Sequence, residues 1–407
     1  MIKAGSLAYA ILICIVVGVF CYALIMMSGY TKMHQTMLFT HTELVANNES
    51  AQQYFIKEIE DLVEQEQVID LFDNGIESKA IIKPWGLYNI LTTESIFKKD
   101  TITQNLLIGE KKNDDLLALY LVDNYKPLYM VGKAKIQGNV YIPKKGIKPG
   151  YITSNAYSNT QFLSGSKRES TSRLPDIKLV SSSFVKEEED RVEAEKLHDS
   201  VMNYREFSQN TLIVDINNIT LTGKKLSGNI IIEAKDSIYI KKDNVLQDII
   251  IKAPKVVFES GFKGNVQVFA NQLVSLEEKV LLKYPSAICI QQGNSEKKAI
   301  TIGENSKVIG ALIIDDADKR TNKIITINEN AEVIGEVFCS GKVALRGIVT
   351  GTVYTNNFYL KTEASIYDNH ILDGKIDRKG LPDSFVAALL FDDKNGREKK
   401  YVAIKKI

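Results

Sequence analysis

Hydrophobic positions in this chain fall into three successive regimes. From Ala4 to Met27, 24 residues pass without a charge after Lys3. At 1.5 Å of rise per residue, such a run crosses a hydrocarbon core of about 30 Å. From Thr31 to Phe72 the apolar positions Tyr54, Phe55, Ile59, Leu62, Val63 and Ile69 fall largely at three- and four-residue spacing. Glu58, Asp61, Glu64 and Glu66 lie between them, which predicts an amphipathic helix stopped by Asn74-Gly75. That helix either packs on its own domain or forms the lower half of one long helix. Beyond Ser78 the period drops to two. Lys79–Ile82, Leu87–Thr92, Leu116–Val122, Leu128–Met130 and Lys135–Ile142 read as strands punctuated by Pro84, Pro127 and Pro143.

The last regime repeats itself. Ile300-Thr-Ile-Gly-Glu-Asn-Ser-Lys-Val-Ile-Gly310 recurs as Ile325-Thr-Ile-Asn-Glu-Asn-Ala-Glu-Val-Ile-Gly335, 25 residues on, with eight of eleven positions identical. Weaker echoes start at Asn229, Asp248 and Asn265, and Gly132 to Ile142 has the texture of a first rung. Short alternating strands at a period near twenty predict a β-solenoid, because a single coil cannot bury its inner face and stacking at about 4.8 Å completes it. The expected fold is mainly β: a transmembrane helix extended by an amphipathic helix, a β-rich domain and a β-solenoid (β-helix). The expected boundaries are a signal anchor over residues 1–29, a helical stalk over 30–75 and a β-rich domain leading into the first rung over 76–152. A loop and charged-helix insertion over 153–210, the solenoid over 211–380 and capping strands over 381–407 follow, the last around an Asp392–Gly396 turn. Within the insertion, the charged stretch Val185–Val201 is expected to be a solvent-facing helix, with a protein-docking helix as the alternative.

The leading run reads as an uncleaved or minimally trimmed anchor. It exceeds the 7–15 apolar residues of a secretory signal, and no A-x-A site follows it. Cys14 and Cys21 follow Ile13 and Phe20, where a lipobox wants a small residue. The charges flanking the run favour an inside amino terminus. The expected location is a single pass through the inner (cytoplasmic) membrane, held in lipid by residues 4–27, with the bulk periplasmic or extracellular.

Met1-Ile-Lys-Ala-Gly-Ser-Leu7, followed by an apolar helix running into a polar one, resembles the amino terminus of type IV pilins and minor pseudopilins. The resemblance covers about the first seventy residues. It implies cleavage after Gly5 and a helix that both anchors the subunit and packs into a filament core. The fifth residue after the cut is Ala10 rather than the Glu of major pilins, a departure shared with tip-capping minor pseudopilins that carry large exported domains. Separately, Gly341-Lys-Val-Ala-Leu-Arg-Gly347-Ile-Val-Thr-Gly351-Thr-Val-Tyr-Thr resembles the coils of bactofilins, right-handed β-helical proteins that polymerise end to end as envelope scaffolds. That likeness covers roughly Ile300 to Gly374 and implies the fold.

Composition narrows the function classes. Fifty-one basic residues against fifty acidic ones argue against a nucleic-acid partner. No P-loop, nucleophile elbow, H-E-x-x-H or C-x-x-C is present, so no catalytic residue and no cofactor are assigned. His34, His41, His198 and His370 are scattered. Cys289 and Cys339 read as buried small hydrophobes, with pairing in an oxidising compartment as the alternative. Asp315, Asp316 and Asp318 form the one acidic cluster, a weak metal candidate neutralised by Lys319 and Arg320. Tyr239, Phe258, Phe269, Phe338 and Tyr359 read as core. The function expected is a non-enzymatic structural or assembly protein of the cell envelope, presenting a β-solenoid to protein partners. Two alternatives stand beside it: a carbohydrate-active or glycan-binding β-helix protein, favoured by a groove of carboxylates, cations and exposed aromatics, and a self-polymerising bactofilin-like scaffold, which needs uncapped coil ends.

Overall fold

The computed structural model describes residues 4–59, 67–112, 116–152, 155–159, 161–177, 189–199, 201–291, 293, 295–391 and 400–407. The chain forms two compact units, Met1–Ile82 with Leu91–Gln104, and Lys83–Ile90 with Asn105–Ile407.

The first unit is built on one continuous helix, α1 (Ala4–Lys57), of 54 residues. Its apolar amino-terminal stretch is long enough to cross a membrane and buries none of its side chains against the protein. Exposure ends near Leu44, and Leu44, Ala51, Phe55, Ile56 and Ile59 are buried. The sheet of this unit uses β1 (Gln67–Ile69), β2 (Glu77–Trp85), β3 (Tyr88–Phe97) and β4 (Asp100–Glu110). β1 pairs antiparallel with β2, Gln67 opposite Ala80. The expected helix over Thr31–Phe72 is therefore not continuous: α1 ends at Lys57, Glu58 is a bend, residues 60–66 lie outside the described residues, and Gln67–Ile69 is strand. Asn74-Gly75 closes a hairpin, not a helix. The Asp70 carboxylate accepts the backbone N–H groups of Phe72, Asn74 and Gly75 at 3.3, 3.3 and 2.8 Å, and Gly75 takes a φ of +76°.

The second unit is dominated by a sheet of 24 strands whose neighbours run parallel apart from the antiparallel pair of Ile348–Lys361 with Ile366–Asp368, consistent with a β-solenoid. The sequence repeat is its register: Ile300 lies opposite Ile325 and Val308 opposite Val333. One interior column runs Ile238, Val256, Val274, Ile300, Ile325, Val343 and Phe358, each directly opposite the next. None of these exposes more than 1% of its surface. Gly310, Gly335 and Gly351 form a second column at positive φ. A Cβ on Gly335 would stand 2.0 Å from the Gly310 carbonyl oxygen, so the close approach requires glycine there.

Chain order and stacking order differ. Leu117–Leu121 pairs with Ile348–Lys361, Tyr120 opposite Tyr354, and Lys135–Gln137 pairs with Lys375–Asp377. Leu163–Ser164 and Lys167–Glu169 add beyond these. The rung at Gly132–Ile142 thus follows the last coil in space rather than preceding the first. The other end of the stack is Glu189–Glu193 and Asn203–Arg205, which pair with Thr211–Ile216 and Lys225–Gly228. This corrects the expected insertion over 153–210: Val185–Glu188 lie outside the described residues, and the rest is strand, then a short 3-10 turn at Ala194–Lys196. A strand at the end of a stack carries charges on its free side, which is what gave the segment a helix-like thin apolar stripe.

The expected capping strands also lie elsewhere. Tyr401–Lys406 pairs antiparallel with Leu106–Glu110 of β4, while Phe385–Phe391 makes isolated bridges at Ala387 and Phe391. The last coil has no room for them, because Leu117–Ile142 already occupies its face. The Asp392–Gly396 turn lies outside the described residues. One outer face of the parallel sheet is covered within this unit. Gln267 clamps the Trp85–Leu87 turn, donating to Trp85 O at 2.9 Å and accepting from Leu87 N at 2.8 Å. Trp85 stacks edge-on against Phe207 with centroids 5.1 Å apart.

Candidate functional site

Two features of the molecule bear on function: the α1 helix with its clamp, and the polar surface of the parallel sheet. In the first unit, side chains that the sequence marks as helix-polar turn inward. Asn48 Nδ2 donates to Ser95 Oγ at 3.1 Å and to Ile102 O at 3.3 Å. Gln52 Nε2 donates to Asn48 Oδ1, Gln104 Oε1 and Thr93 Oγ1 at 2.9, 2.9 and 3.2 Å. Thr93 Oγ1 donates to Asn48 Oδ1 at 2.9 Å, and Ser78 and Ser95 share a 2.7 Å bond. The six side chains of the network, those of Asn48, Gln52, Ser78, Thr93, Ser95 and Gln104, are all buried. Such a network tolerates one alignment of helix and sheet, since any slip strands buried donors. Gly5, the candidate processing residue, lies in the first turn of α1, with nothing within 4 Å of where a side chain would stand.

On the parallel sheet, a groove of about 630 Å³ is lined by Arg191, Asp215, Glu233, Lys252, Asn271 and Gln291, among others. Asp215, Glu233 and Lys252 are successive members of one column. Arg191 reaches Asp215 at 3.0 Å and Glu233 at 3.3 Å, and Lys252 lies 3.6 Å from Glu233. Both carboxylates are thus committed to cations. The third carboxylate lining the groove, Glu193, lies 3.1 Å from Lys196 Nζ. The one aromatic lining it, Phe269, is 93% buried and offers no sugar platform.

The Asp315–Asp318 loop is likewise closed on itself, by Arg320 as expected, which lies 3.4 Å from Asp318, and by two lysines from other strands. Lys298, fully buried, donates to Asp316 Oδ2 at 2.5 Å and to Gln291 O at 2.8 Å. Lys323 donates to the carbonyls of Asp316 and Asp318 at 2.7 Å each. Asp318 turns its Oδ1 to the Arg320 N–H at 2.9 Å, and Lys319 takes no part. Burial raises the Asp316 carboxyl, but Lys298 and the Asp318 N–H more than reverse this and hold it below the ordinary range. Asp315 goes the other way, raised chiefly by burial. Among the described residues, no group of three or more His, Cys, Asp and Glu side chains is placed to share a metal ion. The loop is a lock between coils; Lys298 and Lys323 were invisible as its partners because they lie on other strands.

Cys289 and Cys339 are buried free thiols. They pair opposite Ile313 and Ile314, adjacent residues whose side chains face opposite sides of the sheet, so they cannot bridge. Burial pushes both thiols up, Cys339 to about 12. Phe258, Phe269 and Phe338 are core residues as expected, whereas Tyr239 and Tyr359 are half-exposed. His34, His41 and His198 are exposed; His370 is half-buried against Tyr129, with ring centroids 4.5 Å apart.

No family model matches the chain, and no solved structure matches it.

Proposed function

We propose that this chain is a membrane-anchored structural or assembly protein of the cell envelope. Its amino-terminal helix lies in the inner membrane, and its exported β-solenoid is presented to a partner. The observation that carries this reading is the division of α1. Its apolar stretch buries none of its side chains among the described residues, while its last turns are fixed by buried hydrogen bonds to β3 and β4. A helix so divided holds one end in lipid and delivers the other as a rigid mount.

A minor-pseudopilin-like role is the finer form of the proposal, with the leader removed after Gly5. Alkaline carbonate extraction of native membranes tests the anchor; recovery in the wash instead of the pellet overturns it. Intact mass of the membrane-purified protein tests the finer form. A mass lacking residues 1–5 is expected, and a full-length mass reduces α1 to a plain signal anchor.

A further inference from the structure

Two unbroken lines of parallel strand pairs run through the second unit. One begins at Glu189–Glu193 and passes from strand to strand to Lys167–Glu169. The other begins at Asn203–Arg205 and ends at Leu163–Ser164. Each of these four terminal strands pairs on one side only among the described residues, which leaves half of its backbone N–H and C=O groups facing away from the stack. The apolar interior is open at the same two places. Interior side chains along the stack are buried, but Tyr157, Phe162 and Leu163 at one end and Val192 and Leu197 at the other are half-exposed. Tyr204 on a terminal strand is 58% exposed, and Leu116, beside Asn139 at the opposite end, is 41% exposed.

The two ends are opposite in charge. The first two coils, Glu189–Gly228, hold seven acidic and five basic residues, a net of −2. The last two, Lys133–Arg173, hold eight basic residues and one acidic residue. Asp123 and Asp373 reach the same end, where they accept the Tyr125 and Lys133 N–H groups, and bring its net to +5. We infer that the partner of this chain is a second copy of itself, stacked head to tail. Lys167–Glu169 of one copy then runs beside Glu189–Glu193 of the next, and Leu163–Ser164 beside Asn203–Arg205. Because every pair along both lines is parallel, the first strand of one copy continues the last strand of another in the same sense. Stacking completes the half-covered interior, as each coil does for the one before it. Unlike ends attract, whereas two like ends would set acid against acid or lysine against lysine. A contact between unlike surfaces does not close at two copies and goes on to a filament or a ring. The inference rests on the assembly reading and supplies its partner; the contact can fail in solution while carbonate extraction still finds the anchor in the membrane.

The test uses the full chain in detergent micelles with Cys14→Ser and Cys21→Ser, since the two remaining thiols, Cys289 and Cys339, are buried. Ser164→Cys marks one end and Tyr204→Cys the other, and a short bis-maleimide links thiols that meet. Within one chain the two sites stand roughly ten strand spacings of about 4.8 Å apart, out of the linker's reach. The double variant is expected to give a ladder of oligomers, an equal mixture of the single variants a dimer, and each single variant alone no product. Lys144→Glu with Lys167→Glu in the Ser164→Cys chain is expected to cut the mixed dimer about tenfold. Lys255→Glu with Lys263→Glu makes the same charge change at exposed lysines along the stack and is expected to leave it within about twofold. A product from either single variant alone would assign a contact between like ends and overturn the head-to-tail pairing. So would a mixture that stays monomeric up to the solubility limit of the protein, or equal losses in the two charge-reversed pairs.

Discussion

The interior of the parallel sheet and the underside of α1 are both buried, yet they are held by opposite means. In the sheet, Val274, Ile300, Ile325 and Val343 follow one another across four strands with no polar atom among their side chains. Under α1, the same degree of burial encloses Asn48, Gln52, Thr93, Ser95 and Gln104. An apolar column stabilises through area and accepts neighbouring registers almost equally well, so uniqueness comes from its glycine column and its locked loops. A polar network contributes less net energy but is satisfied in one alignment. The stack is built to be strong, and the helix mount is built to be particular.

Substitutions separate these two kinds of interior. The largest effect is expected at the locked loop. Lys298→Ala leaves the Asp316 carboxylate buried without its direct partner, with Lys323 held on the neighbouring carbonyls, a loss of about 3–5 kcal/mol. The double change Lys298→Met with Asp316→Asn should recover most of it, read as the thermal midpoint of the detergent-solubilised protein. Ile325→Ala opens a cavity in the interior column and is expected to cost about 2–5 kcal/mol. Gln52→Ala strands the Gln104 acceptor and should cost less, about 1–3 kcal/mol. Its signature is increased hydrogen exchange in α1 with the sheet amides unchanged. Should Gln52→Ala loosen the parallel sheet as much as Ile325→Ala does, the contrast between the two interiors fails.

The smallest effect is a pH dependence. Because the folded-state carboxyl of Asp316 is held below its ordinary value of 3.8, its stabilisation is complete above that value and is lost as pH falls through the folded-state pKa. Urea midpoints measured from pH 6 downward should decline in the wild type below about pH 4. The Lys298→Met/Asp316→Asn variant should decline less.

The parts of this fold that were legible in the sequence are those that stacking writes at a constant interval. Ile300 and Ile325 are identical because they occupy the same place on successive coils, and the 25-residue interval is the register itself. Gly310 and Gly335 recur for the same reason, since each coil must pass the one below at carbonyl distance. Edge and terminal positions carry no such constraint. Glu189–Glu193 has neighbours on one side among the described residues, so its charges obscured the strand period. The pairing of Leu117–Leu121 with Ile348–Lys361 leaves no local mark, because either strand alone is an ordinary buried strand. Asn48 and Gln52 carry no sign of burial in the sequence, because an amide side chain on a helix is ordinarily solvated and their partners lie on β3 and β4. The Asp315–Asp318 cluster was visible as a run of acids, but its role depends on Lys298 and Lys323, which tertiary structure brings in.

The inverted stacking order sets a timetable. Tyr120 leaves the ribosome 234 residues before Tyr354, the residue it lies opposite. At roughly 5–20 residues per second, Leu119, Val140 and Ile142 spend about 10–50 s of synthesis without the surface they finally cover. The coils between can assemble one on another as they emerge, but this early segment has to be kept soluble until the chain is nearly finished. The chain therefore closes this end of its stack last, and a premature stop anywhere before Ile348 leaves the first-made strands with nowhere to go.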